Sequence, residues 1–195
     1  STLVYPQIAA DYVNVDDRLF PRSGISGSAT VRGGVEGAGS DTSFVQANLA
    51  VRWYVPLGQS NRLILRGEGG STWTRDLVAM PPSLRYFAGG DRSIRGYAYR
   101  EVGPRTPAPD RFALGAKNLV VGSVEYEHYF GGGPWGAAAF VDTGSAFDDT
   151  IDLHTGVGFG VRWKSPVGPV RVDLAHGLND PDSQFQIYLN IGADL

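Results

Sequence analysis

The sequence predicts an all-β fold, an antiparallel transmembrane β-barrel of eight to nine strands. Three observations carry this reading. Apolar and polar residues alternate with period two in segment after segment, the pattern of a strand with one apolar and one polar face. Several segments reach the roughly nine to eleven residues that a tilted strand needs to cross a bilayer. The connections alternate between short and long, as they do when each set faces its own compartment.

Strands are expected at 3–15, 24–34, 42–54, 61–71, 117–129, 134–142, 153–164, 169–175 and 183–192. The first is interrupted by Pro6, which lacks the donor that a central strand uses. In the second, Ile25, Ala29 and Val31 alternate with Ser26, Ser28, Thr30 and Arg32; in the third, Val45, Ala47, Leu49, Val51 and Trp53 alternate with Gln46, Asn48 and Arg52. The fourth carries Arg66 and Glu68 on its polar face, and the fifth sets Val120, Val124 and Tyr126 against Glu125 and Glu127. In the seventh, Leu153, Val157, Phe159, Val161 and Trp163 oppose His154, glycines, Arg162 and Lys164. Val170, Val172 and Leu174 continue the scheme, and Phe185, Ile187, Leu189 and Ile191 end it.

The polar faces are too polar for a dry core, so the apolar faces are assigned to lipid. Val45, Leu49, Val51, Val157, Phe159, Val161, Val172, Ile187 and Leu189 are expected to point outward, and Gln46, Arg52, Arg66, Glu68, Arg162, Arg171 and Asp173 inward. A soluble β-sandwich shares this composition but not these faces. Short turns are read at 56–59, 131–134 and 165–168, and long connections at 35–41, 143–152 and above all 72–116. A structureless loop of that last length argues against a compact soluble domain, whereas extracellular barrel loops are long. Trp53, Trp135 and Trp163 fall at the short-turn rim and Trp73 at the other, where membrane barrels place aromatics.

Composition excludes other classes. Although 42% of the residues are hydrophobic, no run approaches the eighteen or so apolar residues of a membrane helix. A net charge of −3 without a basic stripe argues against nucleic acid, and the absence of cysteine rules out disulfides and thiolate sites. His128, His154 and His176 lie in separate strands, so no metal site and no catalytic triad is expected. The glycine clusters lack a phosphate-cradle pattern with its following helix, and no cofactor or catalytic residue is assigned. Glu125/Glu127 and Asp148/Asp149 are read as structural carboxylates. The start of the chain has no signal-peptide pattern, so it reads as a mature or truncated piece.

The segment Phe87-Ala88-Gly89-Gly90-Asp91-Arg92-Ser93-Ile94-Arg95-Gly96-Tyr97 resembles the sixth extracellular loop of the Omp85 superfamily. Leu19-Phe20-Pro21-Arg22-Ser23-Gly24, the stretch 156–169 and the last strand are also similar to that family, and most similar in wording to its translocation and assembly module branch. The resemblance implies the C-terminal eight to nine strands of a sixteen-stranded barrel, a single fragment over 1–195 from which the soluble POTRA domains are absent. It also implies that Ile94-Arg95-Gly96-Tyr97 is the tip of a loop folded into the lumen. Arg95, with Gly96 and Tyr97 beside it, would then engage Asp142 of Phe140-Val141-Asp142 and approach Glu125. The assembly signal at the end of such barrels usually finishes with an aromatic residue, whereas this chain ends Gly192-Ala193-Asp194-Leu195.

The function implied by the resemblance is non-enzymatic assembly and translocation at the bacterial outer membrane. Its partners would be outer-membrane lipid, client β-barrel or autotransporter polypeptides, and a periplasm-spanning partner reached through the absent N-terminal domains. Client strands would pair at the seam along Phe185, Ile187, Leu189 and Ile191. A two-partner secretion exporter or a small pore is the alternative. Because an open sheet in lipid leaves backbone groups unpaired, three outcomes are open: the first strand peels away and eight strands close, nine close with one parallel seam, or two chains join edge to edge. The favoured one is eight strands, pairing 185–191 with 24–34.

Overall fold

The computed structural model describes residues 2–179 and 184–192, so Ser1, residues 180–183 and the chain end at 193–195 lie outside the described residues. Among the described residues nine strands follow one another: β1 Gln7–Val15, β2 Gly24–Gly34, β3 Phe44–Leu57, β4 Asn61–Thr74, β5 Asn118–Tyr129, β6 Trp135–Phe147, β7 His154–Ser165, β8 Gly168–Gly177 and β9 Gln186–Ile191. Each pairs antiparallel with its sequence neighbours in one sheet of order β1 to β9. Every expected strand is present, with differences at the ends. β3 runs on past Pro56, which sits opposite Arg62 beside the hairpin turn, where a missing donor does little harm. β6 extends to Phe147 because Thr143–Phe147 pair with Asn118–Gly122 of β5, so the connection read as 143–152 begins only after Phe147.

The faces sort by neighbourhood. Val45, Leu49, Phe159, Val161, Val172, Ile187 and Leu189 are exposed, and Val51 and Val157 are half-buried on the same face. Gln46, Arg162 and Asp173 are buried on the other face, where Arg52, Arg66, Glu68 and Arg171 line its cavities. A soluble sandwich would bury the first set. At the short-turn rim Trp135 and Trp163 face each other across β6 and β7, stacked with ring centroids 5.3 Å apart.

The loop 75–117 lies back against the inner face. It carries a 3-10 turn at Pro82–Leu84 and bridges between Tyr86 and Ala116, Ala88 and Val102, and Arg105 and Ala113. The buried apolar clusters form where this loop meets the sheet. Ala88, Ile94, Tyr97 and Val102 of the loop pack on Leu119, Val121 and Ala146, while Met80 and Leu84 pack on Phe44. Tyr86 donates its hydroxyl to the Ala47 carbonyl at 2.9 Å, and burial pushes that phenol up to about 12.

The expected eight-strand closure is not formed. All nine residues of β1 stay in register with β2, from Gln7 opposite Arg32 to Val15 opposite Gly24, and β9 pairs with β8. Among the described residues no ladder joins β9 to β2 or to β1. Two physical causes keep β1 in place. Pro6 precedes the strand instead of interrupting it, and its carbonyl accepts from Gly33 N–H. The β1–β2 connection is knit by Asp16, whose carboxylate accepts from the N–H groups of Asp17, Arg22 and Ser23. The loop also occupies the inner face that a narrow eight-strand barrel would need to fill with its own side chains.

Candidate functional site

The loop presents Arg95 to the wall because its neighbours are anchored on either side. Gly90 N–H bonds the Ile94 carbonyl and Ser93 N–H bonds that of Gly90, closing a tight turn, while Ile94 and Tyr97 are buried in the apolar cluster. Gly96 has φ +99°, and an added Cβ would stand 2.6 Å from the His176 carbonyl carbon. Only glycine meets both demands. Beyond it, Tyr97 donates its hydroxyl to the Thr155 carbonyl at 3.1 Å and accepts from Asn179 N–H at 3.1 Å.

Arg95 is 5% exposed and uses its donors on four residues of the wall. Its Nε bonds Asp142 Oδ2 at 2.7 Å and Nη2 bonds Oδ1 at 3.0 Å, a bidentate pair that the Arg95 backbone N–H extends at 3.1 Å. Nη1 bonds Glu125 Oε2 at 2.7 Å and Asp173 Oδ2 at 3.0 Å, and Nη2 lies 3.5 Å from Ser123 Oγ. The guanidinium plane also covers the Phe140 ring, its Cζ 3.4 Å from the centroid.

Strand alternation gathers these acceptors. Register sets Ser123 opposite Asp142, Asp142 opposite Gly156, and Gly160 opposite Asp173, so their side chains share the inner face. The bare positions of β7 make room. A Cβ at Gly156 would collide with the Arg95 carbonyl oxygen, one at Gly158 with the Phe140 ring, and one at Gly160 with Asp173.

The acids are neutralised by further arginines. Arg162 bonds Glu125 at 2.6 Å, Glu127 at 2.9 Å and Asp173 at 2.5 Å, Arg62 bonds Glu127 at 2.6 Å, and Arg66 lies 3.9 Å from Asp142. Arg66 also donates to the loop carbonyls of Arg92 and Ser93. Four guanidinium groups thus face four carboxylates, and the network is close to neutral. Burial disfavours the Arg95 cation, but the hydrogen bonds and charge of Asp142, with Glu125 and Asp173, outweigh it and raise its pKa above the ordinary arginine value. Arg95 therefore stays charged at every working pH. A buried pair of this kind is weak evidence of net stability, yet removing one partner costs about 3–5 kcal/mol because the other charge is stranded.

Of the residues singled out in the sequence, Arg95, Gly96, Tyr97, Asp142 and Glu125 lie together here. Ile187, Leu189 and Ile191 lie apart from them, exposed along β9, and Phe185 stands just before that strand against the His176 ring, 5.0 Å between centroids. Sequence reasoning missed Asp173 and Arg162 as members of the network, and Tyr188, which bonds the Gly96 N–H and the Tyr97 carbonyl. The signal available for the first two was charge on an inward register position of β7 and β8; the glycines at alternate positions of β7 marked where the loop lies. Among the described residues no group of three metal-ligating side chains is placed to hold an ion.

A membrane-type antiparallel sheet with its longest loop folded inside, held by an arginine on wall carboxylates, defines a class of loop-plugged outer-membrane barrels. Within that class the chain belongs to the Omp85 superfamily, whose domain model matches residues 6–194. It is 30% identical over 150 residues to the outer membrane protein assembly factor BamA of Nitratidesulfovibrio vulgaris, a match that covers 73% of this chain and 19% of that protein. The fold is similar to the crystal structure of BamA from Haemophilus ducreyi lacking POTRA domains 1–3, with a TM-score of 0.75 and 19% identity over 96% of this chain and 41% of that one. The chain thus spans a fraction of the length of each. These matches reach the superfamily and BamA relatives and do not single out the translocation and assembly module branch, TamA.

Proposed function

We propose that this chain is part of the barrel of an outer-membrane assembly factor, which helps β-barrel and autotransporter-like clients enter or cross that membrane. The observation that carries the reading is the last strand. β9 pairs with β8 along one edge, no second strand partner is found among the described residues, and Ile187, Leu189 and Ile191 stand exposed on its outer face. Such an edge offers backbone donors and acceptors to an incoming strand, and its alternating side chains match a lipid-facing register.

The docked loop supports an assembly role over an open pore, because it fills the inner face with apolar packing and the Arg95 network. Arg95, Gly96, Tyr97, Asp142 and Glu125 act as a lock between loop and lumen. Outer-membrane lipid is the solvent of the outer face. A periplasm-spanning partner would be reached through N-terminal POTRA domains, the kind of domain named for BamA from Haemophilus ducreyi. The finer assignment to the TamA branch rests on the wording of the terminal strands.

The test places a photocrosslinking residue in turn at Ile187, Leu189 and Ile191 of the full-length protein during synthesis of an outer-membrane client. Capture of the client's terminal strand at alternating positions is the expected result. No capture, together with unimpaired client assembly when Leu189 is changed to Pro, would refute the seam reading.

A further inference from the structure

One hydroxyl ties the last strand to the docked loop. Tyr188 faces inward on β9 between the exposed Ile187 and Leu189. Its Oη accepts from Gly96 N–H at 3.0 Å and donates to the Tyr97 carbonyl at 2.9 Å. A phenol can donate once and accept as well, and here both roles are filled by the backbone of the loop tip. The tip is fixed by other contacts, through Arg95 to β5, β6 and β8, and through Tyr97 to Thr155 of β7 and Asn179 after β8.

β9 is held far less. It has six residues, paired with β8 from Val170 opposite Ile191 to Ala175 opposite Gln186. A short edge strand of this kind opens locally at low free energy. A clamp at its third residue therefore changes how often it frays. Since both partners of Tyr188 are backbone groups of the two residues that follow Arg95, any movement that withdraws Arg95 from Asp142 carries them away together.

We infer that Tyr188 is a positioning residue that couples docking of the loop tip to the order of the last strand. With the tip docked, β9 is held between β8 and the loop. With the tip withdrawn, β9 keeps its ladder alone, and its free edge loosens for strand exchange. The functional meaning of this coupling rests on the proposed seam role of β9; the coupling itself does not.

The test is backbone hydrogen exchange of the full-length protein in lipid vesicles, read on peptides covering 186–191. Tyr188→Phe keeps the ring and removes both bonds, and it is expected to speed exchange there roughly tenfold, the scale of lost ordinary hydrogen bonds, while β5 and β6 stay unchanged. Asp142→Asn, three strands away, is expected to speed the same peptides, and the double variant no more than the larger single change. Unchanged exchange in β9 after either substitution, or additive effects of the two, would overturn the inference. If Tyr188→Phe does not assemble, Asp142→Asn decides alone. Client crosslinking at Leu189 in the same vesicles separates the two ideas, since its absence with coupled exchange defeats the seam reading and leaves the coupling standing.

Discussion

At the scale of single residues, the inner face is organised around space left for Arg95 as much as charge offered to it. Asp142→Asn keeps the shape of the acceptor and removes its charge, leaving four guanidinium groups against three carboxylates around the buried Arg95; loss of about 3–5 kcal/mol in loop docking is expected. Gly156→Ala leaves every charge in place but puts a methyl where the Arg95 carbonyl sits. Both variants should therefore open the loop 75–117 to proteolysis in the assembled protein, whereas Thr143→Val, which removes a hydroxyl bonded to Thr155 away from Arg95, should not. Protection of the loop in Gly156→Ala equal to that of the unaltered protein would show that the tip is not seated against β7. The carboxylate at 142 and its arginine were legible from the motif that each belongs to. Arg162 and Asp173 showed only as charges on inward register positions, and Tyr188 not at all, because nothing local joins such side chains into a network assembled from the loop and six strands.

At the scale of elements, the period-two pattern specified the strands well and their ends poorly. A polar residue in an inward position looks the same whether it borders a turn or continues a ladder, which is why Thr143–Phe147 read as loop although β5 holds them in register. Pro6 and Pro56 misled for the opposite reason, since a proline at a strand end removes a donor that no neighbour requires. The orientation of the faces, by contrast, follows from register alone: a slip of one residue would exchange every outward and inward side chain. Leu49→Arg, on the outer face of β3, is accordingly expected to destabilise folding into bilayers by about 2–4 kcal/mol if it lies at mid-depth, measured by denaturant titration in vesicles. Asn48→Arg, one residue along and facing inward beside a cavity, should cost much less. Equal costs at the two positions would contradict the assignment of faces.

At the scale of the whole molecule, the sequence pattern sufficed for the sheet and its faces but not for how the sheet ends. Closure depends on competition between backbone pairing at the two edges and the space occupied inside. Asp16 holding the first hairpin and a loop packed across the inner face are tertiary facts that alternation does not encode. The outer face of this sheet lies in lipid, while the inner face is polar and holds the loop. Because the chain contains no cysteine, single cysteines can be placed along β3 from Val45 to Trp53 without background, and labelled in native membranes with a water-soluble, membrane-impermeant maleimide. Labelling should alternate, with Asn48, Ala50 and Arg52 positions reactive and Val45, Ala47, Leu49 and Val51 positions protected until the membrane is dissolved. Uniform labelling, or protection of the inward set and reactivity of the outward one, would contradict the membrane-barrel reading at its root.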